Sequence, residues 1–160
     1  MLFRSGPLMG GGTYLAATGS IDATALLATL PWGLIATAVL FGKHLDKIKA
    51  DASRGVGTFV VRIGERRARG AAVALISAGY IAVALLGALG IYPWIVAPLA
   101  GLGAIQALPA LKILAAPRPT QAPKGYPLWP LWHVGAAFIA GRPAMGALIV
   151  GLVVGALFAL

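Results

Sequence analysis

The sequence predicts an all-α integral membrane protein, a polytopic bundle of about five to six apolar segments. Three observations predict it. Hydrophobic residues make up 59% of the chain and charged residues 11%, with a mean hydropathy of +0.89, which leaves too little polar surface to cover a soluble globule of this size. The apolar residues fall into runs near the roughly 20 residues that a helix needs to cross a bilayer. Eight of the 13 basic residues lie between Lys43 and Arg69, between two apolar runs, as in the cytoplasmic loops of membrane proteins. The net charge of +9 is therefore read as topological, and no nucleic-acid partner is expected. With no cysteine in the chain, a disulfide framework and a thiolate metal site are both excluded.

Taken in order, residues 6–18 form a short, glycine-rich first segment. Residues 24–42 form a second, which Pro31 and Gly33 should bend. From Ala71 to Leu111 there are 41 uncharged residues, enough for two crossings, expected at 71–89 and 94–111 with the GIYP turn at 90–93 between them. Residues 116–130 hold five prolines and should form a stiff loop that leads into an interfacial aromatic group, Tyr126, Trp129 and Trp132. Two last segments are expected at 131–141 and 144–160, parted by Gly141-Arg142-Pro143. In this division the basic loops 43–70 and 112–127 lie on the cytoplasmic side. The turns at 19–23 and 90–93, together with Arg142, lie on the other. The expected location is a bacterial plasma membrane, crossed several times. The opening Met1–Ser5 reads as an adapter-derived remnant, which makes residues 6–160 the C-terminal part of a longer protein.

The chemistry concentrates in GKHLDKIKADASRGVGT, residues 42–58, where two of the chain's four carboxylates, Asp46 and Asp51, stand among Lys43, Lys47, Lys49 and Arg54. A solvated basic loop that binds anionic lipid would have this composition. So would a diphosphate site. Carboxylate oxygens can hold Mg²⁺, which keeps waters and binds phosphate oxygens, while Lys and Arg neutralise the remaining charge. On one ideal helix Asp46 and Asp51 would diverge by roughly 140°, so joint use of both requires the helix to end near Ala50. Gly55 and Gly57 mark where the chain loosens. Arg62 is placed to pair with Glu65. His44 is read as a loop residue, with phosphate bonding as the alternative, and His133 as an interfacial or packing residue. Gln106 and Lys112, in or at the end of an apolar run, matter if they face a cavity. Gly151 and Gly155 form a small-xxx-small pair suited to helix packing.

The ordered residues Asp46, Asp51, Gly55, Thr58 and Gly64 with Arg66–Arg69 resemble the second aspartate-rich motif of the UbiA superfamily of intramembrane prenyltransferases. GPLMGGGTYLAATG and YPLWPLW resemble neighbouring parts of that family. The resemblance implies a fragment of a nine-helix fold around a cavity at the cytoplasmic surface, and transfer of a polyprenyl group from its diphosphate to an aromatic or quinone-precursor acceptor. It implies Mg²⁺ as cofactor, with Asp46 and Asp51 as metal ligands and catalytic residues. Lys43, Lys47 and Arg54 would bind the diphosphate, and membrane lipid would surround the whole. Three departures stand out: the carboxylates are five apart where the family usually has four, the Asn and Asp that the family often shows just upstream are replaced here around Gly42 and Lys43, and the first aspartate-rich motif is absent from these 160 residues. The chain alone is therefore expected to be inactive. The alternative is a non-catalytic membrane protein or transporter fragment with a basic, lipid-binding cytoplasmic loop.

Overall fold

In the computed structural model, residues 4–126 and 128–158 are described; the first three residues of the presumed Met1–Ser5 remnant lie outside them. A π-helical turn at Arg4–Leu8 runs into α1 (Met9–Thr18), followed by α2 (Ala23–Ala28), α3 (Leu30–Asp46), α4 (Ile48–Ser53), α5 (Phe59–Ile63), α6 (Glu65–Ala88), α7 (Val96–Ala115) and α8 (Trp132–Phe158). Among the described residues four stretches are long and apolar enough to cross a membrane: α2 with α3 (Ala23–Asp46), α6, α7 and α8. The chain is a polytopic helical membrane protein.

The second segment starts where Asp22 caps α2, its carboxylate accepting a 2.6 Å bond from the Ala25 N–H. It is interrupted at Thr29, two residues before Pro31, because proline brings no N–H to the helical ladder and its ring crowds the preceding turn. Helix α6 begins at Glu65, six residues ahead of the expected 71, and so absorbs the arginine cluster. The loop expected over 43–70 is accordingly narrower, since Lys43–Asp46 complete α3. Gly90, at φ +73°, ends the α6 turn. The Tyr92 hydroxyl in that turn donates to the Ala28 carbonyl, tying it to the end of α2.

The largest correction concerns the C-terminus. The segments expected at 131–141 and 144–160 are one helix, α8, with Pro143 inside it. A membrane helix tolerates the missing N–H when neighbours pack around it, and Pro143 is held closely by α7: a Cβ on Gly103 would lie 3.1 Å from the proline Cβ and 3.2 Å from its carbonyl oxygen. Arg142 therefore sits inside a spanning helix and not in an outer turn.

Helices α3, α6, α7 and α8 close into a ring, each packed on the next. The core is made of small side chains, Ala38, Ala72, Ala107, Ala136, Ala137, Ala140 and Ala144, filled out by Ile35, Ile76, Tyr80 and Leu114. Glycines at the seams let backbones approach. Gly79 and Gly141 both face Ile35, and Gly151 faces Val96, the close contact that drives helix association where lipid is as apolar as leucine. The Tyr80 hydroxyl satisfies itself at 2.7 Å on the Ala140 carbonyl. At one end of the ring, Leu45, Val60 and Ala68 form a small second core that seats α5 against α3 and α6 and fixes the floor of the basic face.

Candidate functional site

The basic face is assembled from the end of α3, the α4–α5 connection, the start of α6, the 116–131 loop and the start of α8. Helix α3 stops at Asp46 and restarts as α4 after Lys47, whose φ of −109° departs from helical geometry. The break comes three residues earlier than the Ala50 expected from sequence, and it gives the two aspartates different partners.

Asp46 reaches across to the first turn of α8. One carboxylate oxygen accepts the His133 backbone N–H at 2.8 Å and lies 3.1 Å from His133 Nδ1; the other accepts the Val134 N–H at 3.0 Å. A helix N-terminus presents unpaired N–H groups and a positive dipole end, so the carboxylate is both cap and counter-charge. Gly42, one turn earlier on α3, makes the reach possible, since a Cβ there would stand 2.7 Å from the His133 carbonyl oxygen. The His133 ring is 1% exposed, and its Nε2 lies 3.2 Å from the Ala116 carbonyl. Both ring nitrogens thus face oxygen atoms of other elements.

Asp51 has no such engagement. It sits on α4 with one oxygen 3.5 Å from His44 Nδ1, beyond ordinary hydrogen-bond length. His44 Nδ1 is itself buried without a hydrogen-bond partner. A buried nitrogen and a carboxylate in a long contact without a hydrogen bond between them leave capacity for a polar ligand or water. Lys43, Lys47 and Arg54 are exposed around it. Gly55, at φ +69°, turns the chain after α4, and Thr58 caps α5 through Val61 N–H at 3.3 Å.

A cavity of about 500 Å³ opens on the same face, lined in part by Asp46, Lys49, Glu65, Arg118, Trp129 and His133. Arg118 donates to the Asp46 backbone carbonyl at 3.3 Å, and its guanidinium lies 4.7 Å above the Trp129 ring, a cation–π contact. The Tyr126 hydroxyl is 2.9 Å from the Trp132 carbonyl. Burial first, and then the Asp46 charge, hold that hydroxyl above the usual phenol range. Glu65 pairs with Arg69 at 3.5 Å along α6, not with Arg62 as the spacing suggested.

Of the residues singled out from sequence, Asp46 lines this cavity and Asp51, Lys43, Lys47 and Arg54 do not, whereas Arg118, Lys49 and Trp129, which sequence reasoning missed, do. Arg118 was counted only as a topological charge, and no local pattern announces a contact with Asp46, which lies 72 residues away. Among the described residues no cluster of three or more His, Cys, Asp or Glu is arranged to hold a metal. Mg²⁺ does not require one, because it commonly binds through one or two carboxylates plus water and phosphate. The oxygens of Asp51, engaged only in the long contact with His44, fit that mode better than those of Asp46, which already serve three donors.

Fold and site together define a polytopic membrane protein with a mixed acidic and basic surface site at one end of a four-helix ring. Residues 1–131 match the model of the UbiA prenyltransferase family, and the chain belongs to that family. A 59-residue stretch is 42% identical to 1,4-dihydroxy-2-naphthoate octaprenyltransferase of Haemophilus influenzae, covering 37% of this chain and 19% of that protein. The match thus spans about a fifth of that relative's length. No solved structure matches the chain.

Proposed function

We propose that the chain supplies the second carboxylate motif of an intramembrane prenyltransferase, acting in a bacterial plasma membrane with its basic face toward the cytoplasm. The reaction is transfer of a polyprenyl group from its diphosphate to an aromatic or quinone-precursor acceptor. The single observation that carries this reading is the family motif Asp51-Gly55-Thr58-Gly64 on the basic face, with the Asp51 carboxylate free of hydrogen bonds and in only a long, 3.5 Å contact with His44 Nδ1.

In this mechanism the carbon–oxygen bond to diphosphate breaks, a carbon–carbon bond to the acceptor ring forms, and the ring gives up a proton. Asp51 would hold Mg²⁺, which when bound neutralises charge developing on the leaving diphosphate. Lys43, Lys47 and Arg54 bind the remaining phosphate oxygens as point charges or forks, and His44 donates to one of them. Asp46, given its three donors, acts here as the tie that fixes α3 against α8, so the ligand role expected of it falls to Asp51. The apolar seams beneath exclude water from the allylic cation. The first aspartate-rich motif comes from outside these residues, so the isolated chain is inactive and gains activity when a segment carrying that motif is supplied.

The test is prenyl transfer measured with the chain and its complementing segment together in membranes. Asp51→Asn should lower Mg²⁺-dependent turnover at least about a hundredfold, the scale of removing one transition-state stabiliser. Undiminished turnover in that variant would sink the proposal. Retention of anionic-vesicle binding without any complementable turnover would favour the lipid-binding alternative, which the exposed Arg66 and Arg67 also suit.

A further inference from the structure

With α8 a single helix, Arg142 becomes an intramembrane cation that the site on the basic face does not use. It lies ten residues past Trp132, about 15 Å along the axis at about 1.5 Å per residue. That is near the middle of a hydrocarbon layer about 30 Å thick, if the aromatic group around Trp129 and Trp132 marks the interface. Gln106 on α7 lies nine residues before Ala115, at a similar depth from the same face. Gln106 and Pro143 line both of two adjoining grooves of about 270 and 380 Å³ on the outer surface of the α7–α8 pair, and Arg142 lines the larger. Gly146 leaves open space in the floor. Exposed Leu102, Ile105, Ile149 and Val150 lie on the same two helices.

A guanidinium at this depth demands a counter-charge or a hydrogen-bonding partner. Among the described residues Arg142 makes no salt bridge. The four carboxylates of the chain cannot serve it: Asp46, Asp51 and Glu65 belong to the basic face, and Asp22 caps α2 at the opposite end. A second copy of the chain would bring another arginine and no carboxylate at that level. We infer that the α7–α8 groove receives a transmembrane helix from outside these 160 residues that carries an Asp or Glu near the bilayer midpoint. The open floor at Gly146 admits a close helix approach, Arg142 pairs with the incoming carboxylate, and Gln106 supplies the second polar contact. This inference does not depend on the catalytic reading.

The test uses the full chain in phosphatidylcholine vesicles with fluorescent single-span Leu/Ala peptides carrying Glu or Gln at the centre, association being read by energy transfer. The Glu peptide should bind at least about tenfold more tightly than the Gln peptide, the scale of one interhelical polar contact. Arg142→Leu should abolish that preference, Arg142→Lys should keep part of it, and Arg142→Glu should transfer it to a Lys-bearing peptide. Helicity by circular dichroism verifies that each variant is folded, and the Arg142→Glu swap tests the pairing even where Arg142→Leu misfolds. Equal affinity for the two peptides overturns the inference. So does a Glu preference that survives Arg142→Leu, or self-association of the chain through this groove. Loss of the preference when phosphatidylglycerol is added would assign the guanidinium to lipid phosphate and would overturn it as well.

Discussion

At the residue scale the most consequential side chain is Asp46, nearly buried and joined to three donors on α8. Replacing it with Ala leaves the His133 and Val134 N–H groups and the His133 ring without their acceptor. The expected loss is about 1–3 kcal/mol of stability, read as a lower unfolding midpoint in detergent titrated with denaturing surfactant. Asp46→Asn, which keeps one acceptor oxygen, should lose less. Asp51→Asn should leave the midpoint nearly unchanged, since Asp51 makes no hydrogen bond that its loss would orphan. That contrast separates the two aspartates by a measurement independent of turnover. Gly42→Val should resemble Asp46→Ala, because a branched side chain would meet the α8 backbone before the carboxylate could. The sequence identified both aspartates as the unusual residues of the chain. It could not show that one of them serves a helix 87 residues further on, because a helix N-terminus carries no residue-level sign of which carboxylate will cap it.

At the element scale α8 decides the topology. Gly-Arg-Pro is a strong break signal in water, where a freed carbonyl is solvated and a charge is welcome. In the packed ring Gly141 seats against Ile35 and Pro143 against Gly103, so the same three residues continue the helix. The absence of native cysteine makes this directly checkable with a membrane-impermeant thiol reagent on vesicles of known sidedness. Arg142→Cys should be protected from both sides, Trp94→Cys should label on one side, and Ser53→Cys only on the opposite side. Labelling of position 142 together with position 94 would restore the two-segment division. The elements that were legible, the second through fourth segments, are those whose apolar runs end in charges or in Gly-Pro turns. The shift of the α6 start to Glu65 was not legible, because Arg and Glu have good helix propensity and a cluster of them looks like loop only when polarity is taken as the signal.

At the scale of the whole molecule, stability rests heavily on seams of small residues, since many large apolar side chains of the spans are exposed, those of α8 above all. Filling a seam should therefore cost more than trimming an outward leucine. Gly151→Leu, which drives a side chain into Val96, should destabilise the fold by about 1–3 kcal/mol, while Leu157→Ala on the exposed surface should change it by less than about 0.5 kcal/mol. Both are read in the same surfactant titration. The sequence revealed the bundle and the small-residue pair Gly151 and Gly155. It did not reveal the order of the ring or the cavity under the 116–131 loop, because both arise from contacts between distant segments that helical periodicity does not encode.

The line Asp46–His133–Ala116 fastens the end of α3, the start of α8 and the exit of α7 at one knot. Three pillars so fastened turn together or not at all. The stretch between them and α6 lies outside that knot, and there Gly55 and Gly64 hold the chain at positive φ on either side of α5, like two pins set in a fixed frame.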